Sequence, residues 1–248
     1  MCFCDICRRY GQTGSGKTHT MGTVGVSATV EEEQGIIPRA LADIFAEVNA
    51  RSCTADVSVR VSFLEIYNEN IRDLLDHSPA ASSKSISIRD DAAGNVKVLG
   101  ASEISVSSCS DMVPRPPAPG PFFKADMGFW LTLLMRVDCL EKGALCRSTG
   151  HTSMNDVSSR SHAIFTVHVD QKMHAQQPQD AGDAEPAPEE LVCSKFHFVD
   201  LAGSERAKRT QASGARLKEG ININFGLLVL GNVISALGDV RRKATHVP

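Results

Sequence analysis

The sequence predicts an α/β fold on three observations. A glycine-rich stretch, Gly11-Gln12-Thr13-Gly14-Ser15-Gly16-Lys17-Thr18, fits the pattern G-x-x-x-x-G-K-[ST]. Strands with a strict two-residue alternation recur, the clearest being Val57, Val59, Val61 and Phe63 set against Ser58, Arg60 and Ser62. Segments at helical spacing stand among them, such as Leu41, Ile44, Phe45 and Val48. With 248 residues, the chain is long enough to bury one sizeable core, as a single domain or as two small ones.

The glycine-rich loop is a cradle for a nucleotide triphosphate. Its glycines let backbone N–H groups close around phosphates, Lys17 reaches the outer phosphates, and Thr18 offers a hydroxyl to Mg²⁺. The chemistry also requires a helix beginning near Gly16, so that unpaired N–H groups and the positive end of the helix dipole face the anion; Lys17 to Met21 supply its first turn. The competing explanation is a surface loop that matches by chance.

Upstream, residues 1–10 stand where a phosphate-loop protein needs a buried strand, yet Asp5, Arg8 and Arg9 interrupt the apolar run. Residues 23–34 are polar and acidic, hence exposed. Pro38 suits the first turn of the helix that Leu41 to Val48 continue. The alternating strand from Val57 runs on to Tyr67, with one face buried, and Asn68 to Leu75 then reads as a short helical stretch. Ile86–Arg89 and Asn95–Val98 flank Asp90-Asp91-Ala92-Ala93-Gly94 as a small hairpin.

The proline-rich run from Pro114 to Pro121 can be neither helix nor central strand. Residues 114–138 therefore read as an insertion into a helix running from about Ser110 through Gly143, or, for Phe129–Met135, as a short buried helix of their own. Asn155 to His162 is dense in hydroxyls and precedes the alternating strand Ala163–Val169. Residues 173–190 form a solvated, disordered loop. Leu191–Val199 is the next strand, leading into Asp200-Leu201-Ala202-Gly203-Ser204-Glu205, and an aspartate at that strand end is placed to hold a Mg²⁺ shell. Lys208, Arg209, Arg216 and Lys218 form a basic loop, and a last helix carries Ile223, Leu227, Leu230, Ile234 and Leu237 on one stripe up to Gly238.

Composition narrows the class. A formal charge of −3 gives no global basic field for nucleic acid, so a polyanionic partner must meet a local patch. No apolar run approaches the roughly 18 residues of a membrane helix, and no signal-peptide pattern opens the chain, so a cytosolic protein is expected. The eight cysteines lack regular spacing and read as reduced thiols. Cys2, Cys4 and Cys7 cluster, but no second ligand pair lies at zinc-site spacing.

Three separated segments agree with one another. In order, Gly11–Thr18, Asn155–His162 and Asp200–Glu205 resemble the P-loop, switch I and switch II of the kinesin motor superfamily, and Val61–Glu69 and Asn222–Leu237 resemble further parts of a kinesin head. The wording of Lys218–Asn222 and Gly231–Asp239 is most similar to the chromokinesin branch and its relatives in cilium signalling. The resemblance implies a P-loop three-layer sandwich with a central mixed, largely parallel sheet flanked by helices. It implies an ATPase that uses ATP and Mg²⁺ and moves along microtubules, in the cytoplasm on the cytoskeleton.

Roles follow from it residue by residue. Residues Gly11, Gln12, Thr13, Gly14, Ser15, Gly16, Lys17, Thr18 and His19, with Asn155, would hold the nucleotide. Thr18, Ser159 and Asp200 would hold the metal, Asp200 through water. Ser158 and Ser159 would close over the γ-phosphate, and the Gly203 N–H would sense it. Arg160 and Glu205 would pair across the two switches, Glu205 helping to relay a proton from the attacking water. Lys208, Arg209, Arg216 and Lys218, within a loop and helix at 206–238, would face the acidic tubulin surface. Taken singly, the serine run could be a helix cap, Asp200 a turn residue, the ion pair a surface pair and the basic cluster a solvated face.

A complete head of this kind starts before the phosphate loop and continues past Pro248, so residues 1–248 are expected to be an incomplete head. No coiled-coil heptads are present to dimerise it, and neither nucleic-acid nor membrane contact is expected. The alternative function is a non-catalytic fragment that binds nucleotide or tubulin without motor activity. An unrelated phosphate-loop ATPase or GTPase would require two of the three segment matches to be accidents.

Overall fold

The computed structural model describes residues 2–23, 34–76, 78, 85–91, 96–106, 139–140, 142–147, 159–174, 191–204 and 214–239. Its centre is β2 (Ala55–Tyr67), whose alternation dictates everything around it. β2 pairs antiparallel with β7 (His162–Met173) on one side, and with β3 (Asn70–Asp73) and β6 (Ile104–Ser105) on the other. β7 pairs antiparallel with β8 (Leu191–Asp200), and β8 pairs parallel with β1 (Cys2–Arg9), giving the order β1-β8-β7-β2-β3. The sheet is mixed, as expected. It is not largely parallel: among the described strands, parallel pairing is confined to β1 and β8.

Register converts the sequence alternation into layers. Phe63, Phe165 and Phe198 fall on one rung, and Val61, Val167 and Phe196 on the next. The Phe63 and Phe165 rings meet edge to face, with centroids 5.4 Å apart. Helix α2 (Ile36–Ala50) covers this face, burying Ile37, Leu41 and Phe45 in the same cluster. Each such side chain contributes about 1.5–3 kcal/mol when fully removed from water. The opposite face is polar in its middle, where Arg60 ion-pairs with Asp170 at 2.7 Å and with Glu103.

Several elements depart from the sequence expectation. β1 does form, although Asp5 and Arg8 interrupt it; Cys4 to Arg8 are exposed because, among the described residues, nothing pairs with its outer side. Strand alternation also puts Cys7 on the opposite face from Cys4, which separates those two members of the suspected cluster. Residues 68–75 are not helical. Asn68 and Glu69 adopt positive φ, 48° and 64°, and as the two central residues of a tight turn they fold β3 back on β2. The hairpin expected near 86–98 is present as β4 (Ser87–Asp90) and β5 (Val96–Leu99). The helical segment at 142–147 extends past Gly143, and residues 114–138 lie outside the described ones.

The last helix, α3 (Ala215–Gly238), is longer than its apolar stripe suggested. Leu227 and Ala236 are buried, whereas Ile234 and Leu237 are exposed. Residues Leu217–Gly238 are long and apolar enough to cross a membrane by length and composition, with mean hydropathy 1.6. This corrects the expectation that no apolar run approaches that length; Lys218, Glu219, Asn222 and Asn224 break its first turns and obscure the stretch in the sequence.

Burial also sets a pH limit on the fold. Desolvation holds the imidazoles of His168 and His197 below the ordinary value, and neighbouring Lys195 adds to the shift in both, while Glu103 opposes it at His168. The unfolded chain therefore takes up protons that the folded chain refuses as pH falls below about 6.5, and stability drops with it. The thermal midpoint is expected to be flat from pH 8 to 7 and to fall between pH 6.5 and 5; a midpoint constant to pH 5 contradicts this.

Candidate functional site

The site lies where β1 and β8 end side by side. Parallel pairing carries Arg9 to Asp200, and an isolated bridge between Gln12 and Ser204 continues it into the loops beyond. Between them the chain folds as the motif requires. Gly14 and Gly16 take φ of 78° and 75°, which favours glycine, and Gly16 caps the five-residue helix α1 (Lys17–Met21). Lys17 is 5% exposed, and its Nζ donates to the carbonyls of Gly11 at 2.9 Å and Gln12 at 2.8 Å. The lysine charge is thus held over the loop it belongs to.

A second cluster forms behind the loop. Thr18 Oγ1 donates to Asp200 Oδ2 at 2.9 Å, and Arg147 Nη1 donates to the same oxygen at 2.9 Å. Arg147 is 3% exposed and also donates from Nε to Ser161 Oγ and from Nη2 to the Ser161 carbonyl. Asp200 is 1% exposed, and its Oδ1 has no hydrogen-bond partner among the described residues. A buried carboxylate oxygen left unpaired costs stability, so it marks a place for a ligand. These residues fit a Mg²⁺ nucleotide: Mg²⁺ keeps several waters and takes one or two protein oxygens plus phosphate, for which Thr18 and Asp200 suffice.

The loops around this corner touch each other. Gly203 N donates to the Ser159 carbonyl at 2.6 Å, Ser204 N to the Gly11 carbonyl at 3.2 Å, and Ala202 N to His162 Nδ1 at 3.0 Å. Desolvation, then the Arg147 charge, keeps His162 below the ordinary imidazole value, and the Ala202 N–H donating to Nδ1 makes that nitrogen the acceptor. Gly203 packs so closely on Thr13 that a Cβ there would stand 2.2 Å from Thr13 Oγ1.

A family profile for the kinesin motor domain matches residues 3–114 and 133–248. The chain belongs to the kinesin motor domain family. It is 44% identical over 239 residues to kinesin-like protein KIF7 of Homo sapiens, and 45% identical over 239 residues to kinesin-like protein KIF27 of Rattus norvegicus. These alignments take 96% of this chain but span only 16% and 15% of those relatives. A solved structure described as a fast kinesin, with implications for ATPase mechanism and interactions with microtubules, superposes with a TM-score of 0.70 at 31% identity, over 99% of this chain and 57% of that one.

Set against the kinesin P-loop and switches, the expected residues divide into three groups. Lys17, Thr18, Asp200, Ser159 and Gly203 are brought together, with residues 11–16 and His19 around them. Asn155, Ser158, Glu205, Lys208 and Arg209 lie outside the described residues, as does the side chain of Arg216; Lys218 is exposed on α3. Arg160 Nη1 pairs at 2.9 Å with Glu219 Oε2, on the first turns of α3, while its expected partner Glu205 lies outside the described residues. Glu219 Oε1 also accepts from the Tyr67 hydroxyl at 2.9 Å. Burial, then this bond, raises the Tyr67 pKa.

Sequence reasoning missed Arg147, Glu65, Glu219 and Tyr67. Glu65 carried a signal: it shares its parity with Val57, Val59, Val61 and Phe63, so the alternation itself pointed it into the core.

Proposed function

We propose that this chain is an ATP-dependent microtubule motor head, in which Mg-ATP hydrolysis is coupled to microtubule binding and movement in the cytoplasm. The observation that carries this reading is the meeting of Lys17, Thr18 and Asp200 at one corner, with Gly203 bonded to Ser159 beside it. Mg²⁺, when bound, neutralises charge on the outer phosphates. Lys17 would exchange the Gly11 and Gln12 carbonyls for phosphate oxygens, and Thr18 and Asp200 would hold the metal, Asp200 through water. Ser158 and Ser159 close over the γ-phosphate, and the Gly203 N–H leaves the Ser159 carbonyl to meet it. Glu205 relays the proton of the attacking water, while Lys208, Arg209, Arg216 and Lys218 face the acidic microtubule surface in a salt-sensitive way.

The test is ATP hydrolysis by the purified chain with and without polymerised microtubules. Stimulation by microtubules supports the motor reading. A soluble, folded chain that binds nucleotide with no turnover replaces it with the non-catalytic alternative.

A smaller change tests the switch. Gly203→Ala puts a methyl group against Thr13 and keeps the two loops apart. Turnover is expected to fall about 10²-fold, as for a misplacement near 1 Å. Nucleotide affinity should stay near that of the parent chain; equal turnover in both proteins counts against the closure step.

A further inference from the structure

The aromatic rung of the sheet is followed, two residues toward the site, by a charged one. Register aligns Arg72, Glu65, Ala163 and Asp200 across β3, β2, β7 and β8. Glu65 is 0% exposed, and neither of its carboxylate oxygens has a hydrogen-bond partner among the described residues. Its nearest charges are Arg72 Nη1 at 3.5 Å from Oε2 and Arg147 Nε at 3.9 Å from Oε1. Arg147 therefore spans the position of Ala163, whose small side chain leaves the space, with one edge toward Glu65 and one nitrogen on Asp200 Oδ2. Charges alternate in sign along the rung, and in a buried setting each strengthens its neighbours.

A guanidinium facing a lone carboxylate prefers to bond both oxygens at once. Here its hydrogen bond goes to Oδ2, and Oδ1 has no hydrogen-bond partner among the described residues. We propose that Glu65 is a positioning residue for Asp200. Together with Ser161, which accepts from Nε at 3.1 Å and from Nη2 at 2.8 Å, the Glu65 charge holds the Nε edge of Arg147 away from Asp200 and keeps Oδ1 available to the metal's water shell. The inference rests on the Mg-nucleotide reading of the site and adds to it a residue outside every phosphate-contacting loop.

The experiment measures the Mg²⁺ concentration for half-maximal binding of a fluorescent ATP analogue to the purified 248-residue chain, with the thermal midpoint recorded without nucleotide or metal. Glu65→Gln keeps the shape and removes the charge, so Ser161 alone holds the Nε edge and the guanidinium turns further toward both oxygens of Asp200. Half-saturating Mg²⁺ is expected to rise about tenfold, the usual cost of losing an outer-shell partner, with metal-free nucleotide binding unchanged. Glu65→Asp keeps the charge one methylene further back, and a rise of about threefold is expected; it carries the comparison if Glu65→Gln does not fold. A variant whose midpoint moves while half-saturating Mg²⁺ stays at the parent value shows a purely structural role and overturns the proposal. If the parent chain itself binds the analogue without any dependence on Mg²⁺, the nucleotide reading fails first and the positioning role with it.

Discussion

Lys17→Ala is expected to reduce ATP turnover by about 10²–10³-fold, the cost of removing one preorganised charge from the reacting phosphates. The loss falls on chemistry more than on folding. Lys17 is buried, and its Nζ donates to the loop carbonyls of Gly11 and Gln12, so its removal takes away a desolvated charge together with those two bonds that offset it. Steady-state hydrolysis with a thermal melt of both proteins checks this: turnover should vanish into the background while the midpoint hardly moves. Retention of more than a tenth of parent turnover would mean that phosphate is held elsewhere.

The largest stability effect belongs to Arg147. Arg147→Met leaves Glu65 and Asp200 buried with no cation between them, and breaking a buried pair in this way costs about 3–5 kcal/mol. Against a typical total of about 5–15 kcal/mol, that is a large share, and for a chain of this size it lowers the thermal midpoint by roughly 10 °C. Denaturant melts give the number directly. A loss under about 1 kcal/mol would mean that the two carboxylates take up protons or water at little cost.

What could be seen in advance follows from how far apart the cooperating residues are. The phosphate loop is contiguous, so Gly14, Gly16, Lys17 and Thr18 could be assigned from their own spacing. β2, β7 and β8 announced themselves because one face of each is apolar, and period two survives any register. Arg147 could not be found this way. It stands past Gly143, where the helical pattern looked finished, and its partners Ser161 and Asp200 are 14 and 53 residues away. The turn at Asn68 and Glu69 was misread because Asn70 to Leu75 alone suits a short helix, and only pairing with β2 makes it a strand. The α3 stripe failed at its far end, where Leu237 is 71% exposed and Ala236 is buried.

The bond between Arg160 and Glu219 gives α3 a fulcrum near its beginning. Glu219 sits close to the start of a helix of 24 residues, with the Tyr67 hydroxyl on the same carboxylate. At about 1.5 Å per residue, roughly 28 Å of rigid rod extends beyond that point. A tilt of about 6° about it swings the distal end by about 3 Å, as simple trigonometry on that length gives. A movement of Arg160 too small to alter the phosphate corner would thereby be magnified at the opposite end of the rod, in the manner of an oar in its rowlock.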